Sequence, residues 1–141
     1  MTGSNDLPPR NSLPRKRSGW LRGLHALKHS LDGILVTLRL ESAFRQEAAC
    51  ATVLIPVAAL MPVEPIEHIA LISSVLLVLL VELLNSAIEA TIDRISLEQH
   101  ELSRRAKDCG SAAVMIALII CAIAWGFIGG PLLMQWLLRV L

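Results

Sequence analysis

Long apolar runs in the C-terminal two thirds of the chain constrain its fold more than any other feature. Nearly all of the apolar excess lies between Ala48 and Leu141, and a soluble protein of 141 residues has too little interior to bury several such runs. Hydrophobic residues make up 54% of the chain and charged residues 18%, whereas an ordinary soluble domain carries about 25% charge. We therefore expect an all-α membrane protein.

Three segments are candidates for membrane-spanning helices, each of which needs about 20 residues. Residues 48–63 reach that length when the helix is extended back to Ser42. Residues 66–97 keep a helical pattern beyond their apolar stretch, so this helix should continue into water. In the third segment, 109–129, we expect the Gly-Gly-Pro sequence at 129–131 to break the helix, with a helix that continues past a kink as the alternative.

The segments that flank these spans differ in composition. Residues 1–18 are rich in Gly, Pro, Ser and Asn, which predicts a disordered tail. Residues 19–40 have leucines at helical spacing among basic residues, which predicts an amphipathic helix on the membrane surface, with a helix of a soluble bundle as the alternative. A three-helix membrane domain at 41–130 and an interfacial tail at 131–141 complete the predicted organisation.

Basic residues are unevenly distributed between the predicted connections. The connection between the first two spans contains Glu64, Glu67 and His68 but no Lys or Arg, whereas the N-terminal region and the connection at 94–108 are basic. Because positive charge is retained in the cytoplasm, we expect the N-terminus and the second connection to be cytoplasmic. The net charge is only +1, so no overall basic field indicates nucleic-acid binding.

One face of the second predicted span is polar. Its polar side chains fall within an arc of about 100° on a helical wheel, and a charge in the hydrocarbon costs about 2.5–3.5 kcal/mol. A polar contact between helices would explain an amide and a hydroxyl, but two carboxylates repel each other, which favours a functional role. The residues of this face are Glu82, Asn85, Ser86, Glu89 and Asp93.

The two glutamates of this face are expected at different depths. Glu89 is two turns from Glu82, roughly 10 Å along the helix axis, so the two need not share a task. The deeper Glu82 suits proton transfer, and Glu89 could hold a hard cation, which prefers oxygen ligands. Glu41, at the start of the first span, is a candidate second ligand, with an i,i+4 ion pair to Arg45 as the alternative.

The second connection adds charged residues that could contact a nucleotide. Lys107 and Arg22 could bind phosphates, although a solvated connector is the preferred explanation of a charged loop when the acidic residues of the membrane helix are left aside. The sequence contains no GxxxxGK[ST] or GxGxxG motif, so a kinase of this kind would need carboxylate-bound magnesium and scattered basic residues. His100-Glu101 is only half of an HExxH zinc motif, and the three cysteines have no CxxC spacing.

Three stretches of the sequence carry a resemblance to a known family. They are ESAFRQE at 41–47, VELLNSAIEATIDR at 81–94 and HELSRRAKDCGSAAV at 100–114. Together they closely resemble the prokaryotic diacylglycerol kinases, which are small, three-span integral membrane enzymes. The resemblance implies phosphorylation of diacylglycerol to phosphatidic acid by magnesium ATP, in a homotrimer within the bacterial inner membrane.

The resemblance also implies roles for individual residues. Glu82 corresponds to the catalytic base that takes a proton from the lipid hydroxyl, and Glu41 and Glu89 correspond to magnesium ligands. The other positions form two groups. Those implied in nucleotide binding are Arg22, His29, Glu41, Glu89, Glu98, Gln99, His100, Lys107 and Asp108, and those implied near the lipid are Ser30, Glu47, Glu82, Asn85 and Ser111.

Three positions depart from the better-known pattern of the family: Arg104 replaces a common glycine, His29 a common tyrosine and Asp32 a usual lysine. Two other functions stay open at this point. A relative that phosphorylates undecaprenol would use the same type of primary hydroxyl, and a small ion-coupled transporter would also place glutamates in a membrane helix. A transporter would spread its polar residues through the membrane depth, whereas here they cluster in the predicted cytoplasmic half.

Overall fold

The computed structural model describes residues 20–96, 98 and 100–140. Within these residues the chain is helical apart from short connections, and no strand occurs, which confirms the predicted all-α class. The helices are α1 (Trp20–Leu40), α2 (Ser42–Leu60), α3 (Pro65–Ile95) and α4 (Glu101–Val140). The predicted tail at 1–18 lies outside the described residues.

α1 matches the helix predicted at 19–40 and begins at Trp20. The chain divides into two compact units, with the boundary after Gly33 inside this helix. The described part of the first unit is the helix from Trp20 to Gly33, where the leucines Leu24 and Leu27 are exposed. The placement of this helix on a membrane surface stays a prediction.

The described residues contain three helices that are long and apolar enough to cross a membrane: α2, α3 and residues 101–135 of α4. α2 begins at Ser42, which confirms that the first span extends back beyond its apolar stretch, and it continues through Pro56. α3 has 31 residues and is therefore about 46 Å long. This exceeds a hydrocarbon core of about 30 Å, so the length of α3 is sufficient for the predicted continuation into water, which stays a prediction.

α4 runs through Gly129, Gly130 and Pro131 as one helix. The predicted break at this sequence is therefore wrong, and the alternative of a continuing helix is the correct one. Pro131 has no N–H to donate to the carbonyl four residues earlier. A break in the helix would leave further backbone groups unpaired, which is costly in apolar surroundings. The helix therefore continues with only the hydrogen bond of Pro131 missing. The location of residues 131–141 at a membrane interface stays a prediction.

α3 packs against both α2 and α4 and so forms the centre of the second unit. Large apolar side chains lie outside, since Leu60 and Phe127 are 85% and 80% exposed, whereas Glu82 is 5% exposed. This inversion of the usual soluble pattern suits a lipid environment. The buried apolar residues of the helices are Phe44, Ala51, Ala58, Leu71, Val75, Val78 and Ala117.

Candidate active site

α3 carries the polar face predicted from the sequence into the interior of the helix bundle. Glu82, Asn85 and Ser86 are buried, whereas Glu89 is half-buried and Asp93 is exposed. Burial therefore decreases towards the C-terminal end of α3. This gradient is consistent with different depths for Glu82 and Glu89, and it places the two carboxylates in different surroundings on one helix.

Three other carboxylates lie close enough to Glu82 to act on its charge. Glu89 and Glu41 both repel it electrostatically, and Glu47 of α2 forms a further repulsive pair with it. Within the described part of the chain, none of these four carboxylates takes part in an ion pair. Like charges in a weakly polar environment disfavour one another, so this carboxylate cluster favours the uptake of a proton or a cation.

Glu41 joins the cluster from the junction between α1 and α2. It has extended backbone angles at the N-cap of α2, and its side chain does not cap that helix. The guanidinium of Arg45 donates instead to the carbonyl oxygens of Leu38 and Arg39, at 3.4 and 3.1 Å. The alternative of a Glu41–Arg45 ion pair is therefore absent from the structure. Among the described residues the Glu41 carboxylate forms no ion pair, and its charge repels that of Glu82.

Two buried acceptor oxygens at this site have no hydrogen-bond partner in the part of the chain that the structure describes. They are Oδ1 of Asn85 and Oε2 of Glu47, and each such group costs about 1–3 kcal/mol. The other end of the Asn85 amide is paired, because Nδ2 donates to Oε1 of Glu89 at 3.2 Å. A hydroxyl group brought to this place could donate to one of the unpaired oxygens, so the site suits an alcohol.

The carboxylates fit a magnesium ion that arrives with a nucleotide better than a permanently bound metal. Among the described residues, no group of three or more His, Cys, Asp or Glu side chains is arranged to hold a metal ion. In kinase sites Mg²⁺ is commonly held by one or two carboxylates together with phosphate oxygens and water. Glu41 and Glu89 are two carboxylates of this type, and both lie close enough to Glu82 to repel its charge.

A cavity of about 490 Å³ opens where α3 ends and α4 begins. Its volume is in the range typical of small-molecule sites. Three residues implied in nucleotide binding line it, namely Glu98, His100 and Lys107, and Arg104 adds a second cation. The remaining lining residues are Ile92, Asp93, Ser96, Glu101 and Ser103.

Ion pairs hold both cations of the cavity. Lys107 Nζ donates to Oδ1 of Asp93 at 2.5 Å and so links α4 to α3. Arg104 binds Glu101 at 2.7 Å and Asp108 at 2.8 Å within α4. Asp108, which the family resemblance implies in nucleotide binding, is thus paired with Arg104, one of the three departures from the family pattern.

The other predicted site residues have varied surroundings. The Nδ1 atom of His100 accepts the N–H of Leu102 at 3.2 Å at the start of α4, which leaves Nε2 for a ligand. Glu98 is exposed, and Ser111 is exposed on α4. Gln99 lies outside the described residues.

Arg22, His29 and Ser30 belong to the first unit. The hydroxyl of Ser30 donates to the carbonyl oxygen of Ala26 at 3.0 Å. The participation of these three residues in a site stays a prediction.

Sequence reasoning assigned no role to Glu101 or Gly110, and it included Asp93 only as part of the polar face. The pairing of Arg104 with residues three positions before and four positions after it is a helical pattern that a sequence can reveal. By contrast, Asp93 and Lys107 are 14 positions apart. No local pattern links them, because their contact depends on how α3 and α4 pack.

Comparison with known proteins identifies the family of this chain. The family model for prokaryotic diacylglycerol kinase matches residues 28–129. A diacylglycerol kinase of Haemophilus influenzae is 50% identical over 79% of this chain and 94% of its own length. Those of Pseudomonas aeruginosa and Escherichia coli are 51% and 48% identical, over 79% and 80% of this chain and 91% and 93% of their own lengths. The chain, a bacterial membrane protein, belongs to the prokaryotic diacylglycerol kinase family.

Proposed function

We propose that this protein transfers the γ-phosphate of magnesium ATP to the primary hydroxyl of diacylglycerol, which yields phosphatidic acid and ADP. The observation that carries the proposal is Glu82, a carboxylate that is 5% exposed on a membrane helix among three other carboxylates. Such a carboxylate is energetically costly in an apolar environment, and a role in proton transfer would explain its presence. The names of the relatives support diacylglycerol as the acceptor.

In this mechanism Glu82 takes the proton of the lipid hydroxyl while the hydroxyl oxygen attacks the γ-phosphorus. The bond from the γ-phosphorus to the oxygen that bridges to the β-phosphate breaks, and its electron pair leaves with ADP. The unpaired oxygens of Asn85 and Glu47 orient the hydroxyl before transfer. The lipid enters sideways from the bilayer, and the nucleotide enters from water.

The cavity at the end of α3 supplies the phosphate contacts. Lys107 and Arg104 provide two cations there, and cations of this kind stabilise the charge that spreads over the transferred group. Glu41 and Glu89 would hold the magnesium ion, which neutralises the β- and γ-phosphates when it is bound. Glu98 and His100 are the further nucleotide contacts in this proposal.

The proposal includes the orientation and assembly of the protein. Arg94, Arg105 and the two cavity cations lie at the end of the bundle opposite the acidic turn at 61–64, and positive charge is retained in the cytoplasm. ATP would therefore meet the cavity from the cytoplasmic side of the inner membrane. The homotrimer implied by the family resemblance is part of the same proposal.

The decisive test is phosphate transfer from γ-labelled ATP to lipid by the purified protein in mixed micelles. We expect labelled phosphatidic acid when diacylglycerol and magnesium are both present, and none after magnesium is chelated. Undecaprenol offered in the same assay tests the alternative acceptor, and a strong preference for it would replace diacylglycerol in the proposal. Absence of transfer to either lipid would overturn the kinase assignment, and ion flux in liposomes would then test the transporter.

A further inference from the structure

α3 and α4 approach closely at Asn85 and Gly110. Gly110 is buried, and a Cβ atom added to it would collide with Oδ1 of Asn85 and lie 3.3 Å from its Cγ and 3.9 Å from its Cα. At the other described glycines the same atom would meet nothing, or would make ordinary contacts of 3.7–3.8 Å as at Gly129. The space that a side chain would occupy at position 110 is thus filled by the Asn85 amide.

Both ends of this amide are constrained. Nδ2 donates to Oε1 of Glu89 at 3.2 Å, and Oδ1 is buried against Gly110 with no hydrogen-bond partner among the described residues. Asn85 is also close enough to interact with the carboxylate of Glu82. The amide therefore lies between the carboxylates that the proposed function assigns to the lipid hydroxyl and to magnesium, and the backbone of Gly110 limits how it can turn.

We propose that Gly110 is a positioning residue of the active site. Because glycine has no side chain, it leaves room for the Asn85 amide to adopt the orientation in which Nδ2 binds Glu89. This inference rests on the proposed function for the role of Glu89. Because Asn85 is buried, an alanine at position 110 forces the amide to rotate or to shift. Either movement removes Nδ2 from Glu89, which has no other hydrogen-bond donor among the described residues. The carboxylate is then free to change rotamer.

The test is a double-mutant cycle between Gly110→Ala and Asn85→Ala, with metal affinity as the main readout. Binding of Mn²⁺ in the presence of a non-hydrolysable ATP analogue is followed by electron paramagnetic resonance on the full-length protein in detergent. We expect Gly110→Ala to weaken Mn²⁺ binding by roughly tenfold, the size seen when a hydrogen-bond partner of a metal ligand is removed. In the Asn85→Ala background the same change should have no further effect.

Gly126→Ala is the matched control, because it adds the same atom to the same helix where nothing lies within 4 Å. It should bind Mn²⁺ like the parent. Lipid kinase activity measured in parallel should show a raised magnesium requirement in Gly110→Ala, because weaker metal binding demands more magnesium for half-maximal activity. Equal losses of Mn²⁺ affinity from Gly110→Ala in both backgrounds would overturn the proposal, since they would mean that Gly110 acts through general packing.

Asn85→Ala gives a test that does not depend on the folding of Gly110→Ala. It removes the donor to Glu89 with Gly110 intact, and it should reproduce the roughly tenfold loss of Mn²⁺ affinity. Parent-like affinity in this variant would overturn the proposal. A parent protein that fails to phosphorylate diacylglycerol would contradict the proposed function only, because the metal-binding cycle does not require transfer to lipid.

Discussion

The ammonium of Lys107 lies 2.5 Å from Oδ1 of Asp93 and so joins the second turn of α4 to the last turn of α3. Both side chains are partly exposed, at 39% and 51%. Such a partly exposed pair contributes little to stability. It does fix the position of a cation at the cavity, and this makes Asp93 a candidate positioning residue for nucleotide binding.

Asp93→Asn should therefore raise the KM for ATP by roughly two- to fivefold, the range of an exposed ion pair, with a smaller change in kcat. Steady-state kinetics with ATP as the varied substrate measure this. Arg105→Gln is the control, because Arg105 is exposed and does not line the cavity. A lower KM for ATP in Asp93→Asn would mean that Asp93 competes with the nucleotide for Lys107. This result would contradict the role of Asp93 as a positioning residue.

Replacing Glu82 by glutamine should abolish lipid phosphorylation while nucleotide binding survives. Glutamine has nearly the same shape but cannot accept the proton, so we expect kcat to fall by about a hundredfold or more. Binding of an ATP analogue, measured separately, should change little because Glu82 does not line the cavity.

Glu67→Gln is a suitable control for that substitution. The Glu67 carboxylate accepts the N–H of Glu64 at 2.9 Å at the start of α3, and glutamine can fill the same capping position. Near-parent activity in Glu82→Gln would remove Glu82 from the role of base.

Glu41→Gln and Glu89→Gln should each increase the magnesium requirement. One charge–charge contact near a protein surface contributes more than about 1.4 kcal/mol, so the magnesium concentration for half-maximal activity should rise about tenfold or more. Titration of activity with magnesium at saturating lipid measures it. Glu98→Gln serves as the comparison, since Glu98 lines the cavity outside the cluster and should alter the KM for ATP instead. An unchanged magnesium requirement in both variants would contradict their role as ligands.

The polar face of α3 was predictable because charged residues are rare within apolar membrane-spanning segments. In an apolar helix each carboxylate is costly, so Glu82 and Glu89 can be recognised from spacing alone, and their unequal burial follows from helical rise. The membrane-crossing helices were predictable for the same reason. The Gly-Gly-Pro sequence at 129–131 was misjudged, because intrinsic helix propensity is overridden where unpaired backbone groups have no water to bind.

Contacts between helices could not be predicted from the sequence. The approach of Gly110 to Asn85 and the pairing of Lys107 with Asp93 depend on the rotation and offset of α4 relative to α3. The spacing of apolar and polar residues along a single sequence does not specify the rotation or the offset of one helix relative to another. The pairing of Arg104 is different, because its partners lie three and four positions away on the same helix and are therefore predictable from helical spacing.

The carboxylate cluster should make the protein less stable than a variant with one charge fewer. Glu47 repels Glu82, and its Oε2 atom is buried without a partner. Glu47→Gln keeps the volume and removes the repulsion. Without magnesium and nucleotide, we expect the Tm in detergent to rise by about 3–5 °C, equivalent to about 1 kcal/mol, while kcat falls because the site loses an acceptor for the lipid hydroxyl.

Thermal unfolding of Glu47→Gln, Glu82→Gln and the double variant separates repulsion from other effects. If the two charges destabilise each other, the second substitution should add less stability than it does alone, because the repulsive pair has already been removed. A lower Tm in Glu47→Gln would show that the carboxylate is stabilised in the resting protein, and the account of an uncompensated cluster would then be wrong. Full additivity would mean that the two residues do not interact.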